Sequence, residues 1–375
     1  MGHTRNEGVV ELVNGLIQRA VAARASDVHF EPGQDRLRVR YRVDALLQDV
    51  EELPAAIGPN VVARLKVMAG LLTYRTDVPQ EGGIAASAGF ECDIRVATFP
   101  TIYGERVVLR LLTQKSSLLT LDELGHAPAL VERLKQLLML PQGLVLVCGP
   151  AGSGKTTTLY AMLDFVRRRR PGLSILAVED PVEIRLDGVT QVEIEPDRGL
   201  TYPVALRSLL RQDPQVLMIG EVRDAETARL VVEAALTGHL LLTTMHSGSP
   251  EEAIVRLREM GLPAYQVTST LHAVLAQRLL RTVCPDCAAA QAARPDCPRC
   301  LGAGYCGRTA IGQLVELTPA LRQAVLDGAD VTALSRADAG PGSLHADANR
   351  LVASGKTTAD EVRRVLGAYK DGAET

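Results

Sequence analysis

Apolar positions recur along this chain in three rhythms. Val9, Leu12, Val13, Leu16, Ile17 and Ala20 fall at helical spacing and predict an amphipathic helix over residues 9–24. Leu37, Val39, Tyr41 and Val43 alternate with Arg38, Arg40 and Arg42, the period of a strand with one face on a core and a solvated row of arginines on the other. Asp27, His29 and Glu31 alternate in the same way with Val28 and Phe30, and read as an exposed strand edge rather than a metal site. Residues 90–112 predict a hairpin that turns at Ile102 and Tyr103, between Pro100 and Gly104. That register sets Arg95 opposite Arg110. After the polar stretch KSSLLT, residues 121–140 are helical in pattern, and the rhythm then changes to short, mostly apolar runs at 144–147, 173–178, 216–219 and 240–244. Such runs are strands buried on both faces, and the helical segments between them (157–165 and 204–210 among others) make the class α/β. The expected organisation is a smaller N-terminal α/β domain at 1–114, a linker at 115–120, a core at 121–283, a cysteine element at 284–306 and a mostly helical remainder at 307–375.

The first apolar run of the core carries the strongest chemical signal. It leads into Gly149-Pro-Ala-Gly152-Ser153-Gly154-Lys155-Thr156, which fits G-x-x-x-x-G-K-[ST] in the strand, loop, helix context that the motif needs. Gly149, Gly152 and Gly154 lack a Cβ, so the backbone N–H groups can close on a polyphosphate, and the helix from Lys155 adds its N-terminal dipole. Lys155 supplies a charge for the β- and γ-phosphates, and Thr156 a hydroxyl for Mg²⁺, with Ser153 and Thr157 flanking them in the cradle. The strand at 173–178 ends in Glu179-Asp-Pro-Val-Glu183, carboxylates at the strand end where ligands bind in open α/β sheets. The strand at 216–219 is followed by Gly220 and Glu221. A carboxylate at 221 can orient and polarise an attacking water. His239 and His246 bracket the strand at 240–244, where they could sense a phosphate or couple neighbours. Arg207 and Arg211 are spaced for one helix face. Arg95 and Arg110 have two readings, a phosphate clamp or two solvated arginines, since like charges directly opposite destabilise a sheet unless an anion lies between them.

Composition narrows the field. The chain has 375 residues, enough for two or three domains, and a net charge of −3. With pI about 6.2 it does not suit a general nucleic-acid binder. No apolar run reaches a membrane span and the N-terminus has no signal-peptide pattern, so the expected place is the cytoplasm. Among 7 cysteines, Cys284-x-x-Cys287 and Cys297-x-x-Cys300 form two knuckles that can set four thiolates around Zn²⁺. Cys92 and Cys148 read as small core residues, and Cys306 lies just outside the pattern.

Taken together, ASDVHFEP, RVRYRVD, DIRVATFPTIYGERVVLRLL, GPAGSGKTTTLY, VEDPVEI, LRSLLRQDPQVLMIGEVRDAETA, ALTGHLLLTTMH, AQRLLRTVCPDC and GRTAIGQLVEL occur in the order expected of a secretion ATPase. The chain resembles the type II secretion and type IV pilus assembly superfamily over nearly its whole length. The resemblance implies a RecA-like P-loop ATPase domain joined by a flexible linker to a smaller N-terminal α/β (PAS-like) domain, and a tetracysteine zinc element. It implies a homohexameric ATP-hydrolysing motor, with ATP and Mg²⁺ at Lys155 and Thr156, Glu179 in an acidic box, Glu221 as the catalytic carboxylate, and His239 and His246 in a histidine box. Arg95 and Arg110 match arginines that approach nucleotide, which favours the clamp; Arg207, Arg211, Arg223 and Arg308 match further family arginines. The implied partner is an inner-membrane platform protein, so that the chain is peripheral at the membrane only through partners, with no nucleic acid. The zinc element is a mark of assembly motors. Pilus retraction or DNA-uptake motors, conjugation-type traffic ATPases and a non-hydrolysing nucleotide-dependent scaffold are the alternatives. Three features depart from the pattern: the chain begins almost at the small domain, without the extra module that relatives use for recruitment; Ala45 stands where glycine is common; and Gly83 stands where arginine is common.

Overall fold

The alternation in residues 36–43 and the hairpin at 90–112 belong to one sheet. In a computed structural model, which describes residues 3–112, 118–290, 294–295, 297–338 and 342–367, the chain divides into two compact units. The first comprises Met1–Ser116 with Val283–Gly307, the second Ser117–Thr282 with Arg308–Thr375. Residues 115–117 of the expected linker and 368–375 of the C-terminal region lie outside the described residues.

The first unit is built on α1 (His3–Ala22), β1 (Asp27–Pro32), β2 (Arg36–Val43), β3 (Leu46–Pro54), α2 (Gly58–Met68), β4 (Gln80–Ile84), β5 (Asp93–Thr101) and β6 (Gly104–Leu112). The strands form a six-stranded sheet in the order β3-β2-β1-β6-β5-β4, with every pairing antiparallel. Val13, Leu16 and Ile17 of α1 and Val61 and Leu65 of α2 pack on one sheet face, against Val28, Phe30, Leu37, Val39, Ile94, Val96, Val107 and Leu109. The buried Tyr41 hydroxyl donates to the Leu16 carbonyl at 2.6 Å, which fastens α1 to the sheet.

Two expectations fail on the opposite face. β1 is an interior strand, not an exposed edge, and Asp27 and His29 are buried. Nor is the arginine row simply solvated, because the β1 carboxylates take up arginines from both neighbouring strands. Glu31 accepts from Arg40 at 2.8 Å and Arg106 at 2.9 Å, and Asp27 pairs with Arg42 at 3.5 Å and Arg110 at 3.1 Å. Strand order, a non-local property, converts what looked like two separate charge stripes into one cross-strand lattice. Burial, then Arg106, pushes the His29 imidazolium below its ordinary range. Between β2 and β3 the chain turns through Asp44 (φ 47) and Ala45 (φ 71), a left-handed pair of the kind that favours glycine. Ala45 adopts that conformation at a cost in strain.

The second unit adds α3 (Pro128–Leu138), β7 (Gly143–Cys148), α4 (Lys155–Arg169), β8 (Ile175–Glu179), β9 (Thr190–Glu193), α5 (Tyr202–Leu209), β10 (Val216–Ile219), α6 (Ala225–Leu236), β11 (Leu240–Met245), α7 (Pro250–Glu259), α8 (Ala264–Thr270) and β12 (Leu271–Val283). Beyond α9 (Pro285–Ala289) and the cysteine loop come β13 (Tyr305–Glu316), α10 (Pro319–Leu326), α11 (Val331–Ala337), α12 (Leu344–Ala353) and α13 (Ala359–Leu366). The sheet is seven-stranded, in the order β13-β12-β7-β11-β10-β8-β9, and the pairings from β12 through β9 are parallel. Each central strand is buried on both faces. Leu144, Leu146 and Cys148 of β7 face a core shared with α5, α6, α7 and α8, while Val145 and Val147 face α3 and α4. The closing helices pack on the outer strands, with Ala348, Leu351 and Val362 against Leu280 and Ile311.

Candidate functional site

The site of the second unit forms where β7, β8, β10 and β11 end. β7 gives way to the loop Gly149–Gly154, in which Gly149, Gly152 and Gly154 have φ of 156°, 74° and 85°. A Cβ on Gly149 would lie 2.6 Å from the Gln277 carbonyl oxygen, and one on Gly154 would lie 2.9 Å from Gln277 Nε2. A Cβ on Gly152 would meet nothing within 4 Å. Two of the glycines are therefore fixed by packing against β12, and the third by its backbone conformation at an open rim.

The donor set fits an anion of phosphate type. Lys155 is buried and donates to the carbonyls of Gly149 at 2.9 Å and Pro150 at 3.0 Å, neutral acceptors of its own loop. Burial lowers its ammonium pKa, against an opposing pull from Glu221. Ser153 Oγ is buried with no hydrogen-bond partner, and no side chain caps the N-terminus of α4. Thr156 and Thr157 stand half-buried in the first turn of that helix. An oxyanion at the loop would satisfy these groups together.

Glu221 and His246 complete this end of the sheet. His246 Nδ1 lies 3.5 Å from Lys155 Nζ, and its Nε2 lies 3.3 Å from Glu221 Oε2. An ammonium can only donate, so Nδ1 is the acceptor and the imidazole proton sits on Nε2, facing the carboxylate. The other Glu221 oxygen pairs with Arg223, whose guanidinium also reaches Asp180 at 3.5 Å. Gly220 precedes Glu221 because a Cβ there would lie 2.9 Å from the Tyr202 hydroxyl. Thr243 and Thr244 of β11 donate to the carbonyls of Ile219 and Gly220 at 2.8 and 2.7 Å, which holds the strand end that presents Glu221.

The other predicted residues are placed differently. Glu179 is buried at the end of β8, where it accepts from Tyr160 and, at 2.8 Å, from Gln191. Burial raises its carboxyl pKa, against both hydrogen bonds. Its partners thus come from α4 and β9 rather than from the phosphate loop. His239 and His246 flank opposite ends of β11, so they do not form one pair; His239 Nδ1 lies 2.8 Å from the Ala234 carbonyl oxygen, closing the end of α6. Arg207 pairs with Glu226, and Arg211 falls in the turn beyond α5, so the two do not share a helix face.

Arg95 and Arg110 belong to the first unit and are directly opposite each other, as the hairpin pattern predicts. Their cross-strand row reads Arg42, Asp27, Arg110, Arg95, Gly83, so Asp27 supplies the anion that relieves the row on one side. Arg95 has only Gly83 across its other edge. Gly83 leaves space for a side chain, its Cβ position being 3.8 Å from the Ile94 carbonyl oxygen, whereas a Cβ on Gly82 would stand 2.5 Å from the Ala69 carbonyl oxygen.

The first unit also holds Cys284, Cys287, Cys297 and Cys300, all buried, with their sulfurs within 4.8 Å of one another. Cys284 and Cys297 are 3.9 Å apart and Cys287 and Cys300 3.6 Å. Four sulfurs at about 2.3 Å from a tetrahedral ion stand about 3.8 Å apart, whereas a disulfide needs about 2.05 Å. Backbone N–H groups of Cys300 and Arg299 lower the Cys297 thiol to about 7. The set fits a closed metal site. Cys306, outside the four, accepts from Arg24 at 2.7 Å, and Asp44 accepts from the Gly307 N–H at 2.6 Å, both anchoring the element to its unit.

A family profile described as type II/IV secretion system protein matches residues 3–364. The chain belongs to that family. It is 44% identical over 364 residues to the type II secretion system protein HxcR of Pseudomonas aeruginosa, spanning 95% of this chain and 77% of that one. It is 37% identical over 377 residues to the type IV pilus assembly ATPase PilB of Thermus thermophilus, covering 94% of this chain and 42% of the relative. Among solved structures, the Legionella pneumophila ATPase DotB superposes with a TM-score of 0.69 at 20% identity, over 94% of each chain, which establishes a shared α/β fold. Membership of this secretion and pilus family accords with the resemblance carried by the motifs. Sequence pattern did not single out Tyr160, Gln191, Tyr202 or Gln277, since ordinary strand and helix spacing hides side chains whose role is to hold others.

Proposed function

We propose that this chain is an ATP-hydrolysing motor of a type II secretion or type IV pilus assembly machine, working as a homohexamer. The observation that carries this reading is the line Lys155, His246, Glu221 at the mouth of a phosphate loop, at 3.5 and 3.3 Å. In this reading the second unit is a RecA-like P-loop ATPase domain, and the first is PAS-like, a reading supported by the antiparallel order of its strands. Lys155 and the N–H groups of Gly152, Ser153, Gly154, Thr156 and Thr157 hold the β- and γ-phosphates of ATP, and Gly149 lets the loop turn. The Thr156 hydroxyl ligates Mg²⁺, which would neutralise charge on the phosphate oxygens. Glu221 turns from Arg223 to orient water and take its proton, with His246 holding the carboxylate and Glu179 steadying the strand end beside it. Arg95 and Arg110 bind phosphate oxygens. Cys284, Cys287, Cys297 and Cys300 bind a structural Zn²⁺ that supports folding and takes no part in hydrolysis.

No helix among the described residues is long and apolar enough to cross a membrane. We place the chain in the cytoplasm, peripheral at the inner membrane through a platform protein of its machine, with no nucleic-acid partner. The test is Mg²⁺-dependent ATP hydrolysis as a function of protein concentration, with mass by light scattering on the same samples. Specific activity should rise as a hexamer forms and vanish in Lys155→Ala and Glu221→Gln. Variants that turn over like wild type would refute the assignment.

A further inference from the structure

Gln277 sits in β12, 122 positions after Lys155 in the chain, yet its side chain closes the underside of the phosphate loop. It is 1% exposed. Its Nε2 donates to the Ser153 carbonyl at 2.7 Å. Its Oε1 accepts from the Thr158 hydroxyl at 2.7 Å, and lies 3.2 Å from His126 Nε2. One amide thus meets the loop, the first turns of α4 and the segment that precedes α3.

The orientation of that amide has no alternative. A carbonyl can only accept, so the nitrogen must face Ser153 and the oxygen must face Thr158 and His126. His126 therefore carries its proton on Nε2. It is a neutral imidazole at physiological pH, because burial pushes its pKa down to about 4. His126 is in turn boxed in: a Cβ on Gly312 would lie 2.8 Å from its Nδ1, and Arg350 donates to the neighbouring Gly125 carbonyl at 2.8 Å. The loop makes room for the amide at Gly154, where a Cβ would lie 2.9 Å from Gln277 Nε2, while Gly149 makes room for the backbone carbonyl of the same residue.

We propose that Gln277 is a positioning residue that sets the phosphate loop for nucleotide and ties that setting to the segment around His126. The inference rests on the nucleotide-binding reading above. If the Ser153 carbonyl is released, the peptide that follows it can rotate, and the Gly154 N–H turns with it. A loop so loosened must be ordered by the ligand, which lowers affinity. His126 enters because it shares the oxygen that fixes the amide, so a shift of His126 reaches the Ser153 carbonyl through Gln277.

The experiment is the dissociation constant of a fluorescent ATP analogue with Mg²⁺ on the full chain, with the thermal midpoint of every variant recorded beside it. Gln277→Glu keeps the acceptors for Thr158 and His126 but sets an oxygen against the Ser153 carbonyl; Gln277→Met removes both arms. Each should weaken binding about tenfold, the scale of one buried hydrogen bond. Thr158→Val also removes one buried hydrogen bond from Gln277 but leaves the loop arm, and should bind within about twofold of wild type. His126→Phe should weaken binding about threefold in the wild-type background and not at all in Gln277→Met. Wild-type affinity in Gln277→Glu would overturn the inference, as would losses that follow the thermal midpoint equally in Thr158→Val, or additive effects of Gln277→Met and His126→Phe. Should both Gln277 variants fail to fold, amide exchange at residues 150–156 decides: faster exchange in His126→Phe supports the proposal, and unchanged exchange refutes it. If the wild-type chain does not bind the analogue, or Lys155→Ala binds it equally well, the nucleotide reading itself falls and takes this inference with it. Loss in Lys155→Ala with none in Gln277→Glu refutes only the role of Gln277.

Discussion

Glu361 is the buried carboxylate with the most to lose. It is 1% exposed at the start of α13, and its two oxygens accept the Arg281 N–H at 3.0 Å, Arg281 Nε and Nη2 at 3.0 and 2.7 Å, and Arg364 Nε and Nη2 at 2.7 and 2.6 Å. Burial alone would raise its pKa. The hydrogen bonds from Arg364 and Arg281 outweigh burial and hold the carboxyl at about 2, from an ordinary value of 4.5. Since the folded value is the lower one, the ionised form stabilises the fold above pH 4.5, and that contribution drains away as pH falls toward 2. The fall from 4.5 to about 2 corresponds to about 3 kcal/mol at pH 7, and the same linkage leaves about 2 kcal/mol at pH 3.5. Glu361→Gln keeps the shape and removes the charge, so its cost in stability should be about 3 kcal/mol at neutral pH and about a third smaller at pH 3.5. Urea unfolding of wild type and variant at the two pH values measures both numbers. A cost below about 1 kcal/mol at pH 7, or one that is constant or larger at pH 3.5, would refute the account, because a carboxylate paired only at the surface behaves that way.

The cysteine cluster predicts one tightly held metal ion per chain, measured as zinc by elemental analysis. Stripping it with a strong chelator, or Cys297→Ser, should lower the thermal midpoint while leaving nucleotide binding by the second unit in place; a metal-free chain of unchanged stability would count against a structural site. At the turn between β2 and β3, Ala45→Gly should stabilise the protein by about 0.5–1 kcal/mol, since glycine takes the positive φ without strain and gives back part of that gain in unfolded-state entropy. Thermal unfolding checks it, and a lower midpoint would show that the Ala45 methyl makes contacts worth more than the strain.

What could be read in the sequence, and what could not, divides along one physical line. The glycine loop at 149–154, the buried strands and the 95/110 register are encoded in contiguous residues, because a strand's period, a glycine loop and a hairpin turn are all local. The misreadings came where a residue's environment is set by a strand that is not its neighbour in the chain. Asp27 and His29 look like an edge until β6 is laid beside β1. The arginines at 40 and 42 are the exception, since their carboxylates come from β1, the preceding strand, and period alone does not show that its polar face turns to the same side. His239 and His246 look like a pair because they bracket one strand, yet a six-residue strand separates them by about 20 Å of rise. Gln277 is the extreme case. Its own segment reads as a mostly apolar strand with a few polar positions, and the reason for the amide lies at Ser153, Thr158 and His126, each more than a hundred residues upstream. Positioning residues of this kind leave no local mark, since their chemistry is a bare amide or hydroxyl and their meaning is which backbone group they hold. The signature they do leave is indirect: a Cβ on Gly154 would lie 2.9 Å from Gln277 Nε2, so one glycine of the loop motif records a side chain on another strand.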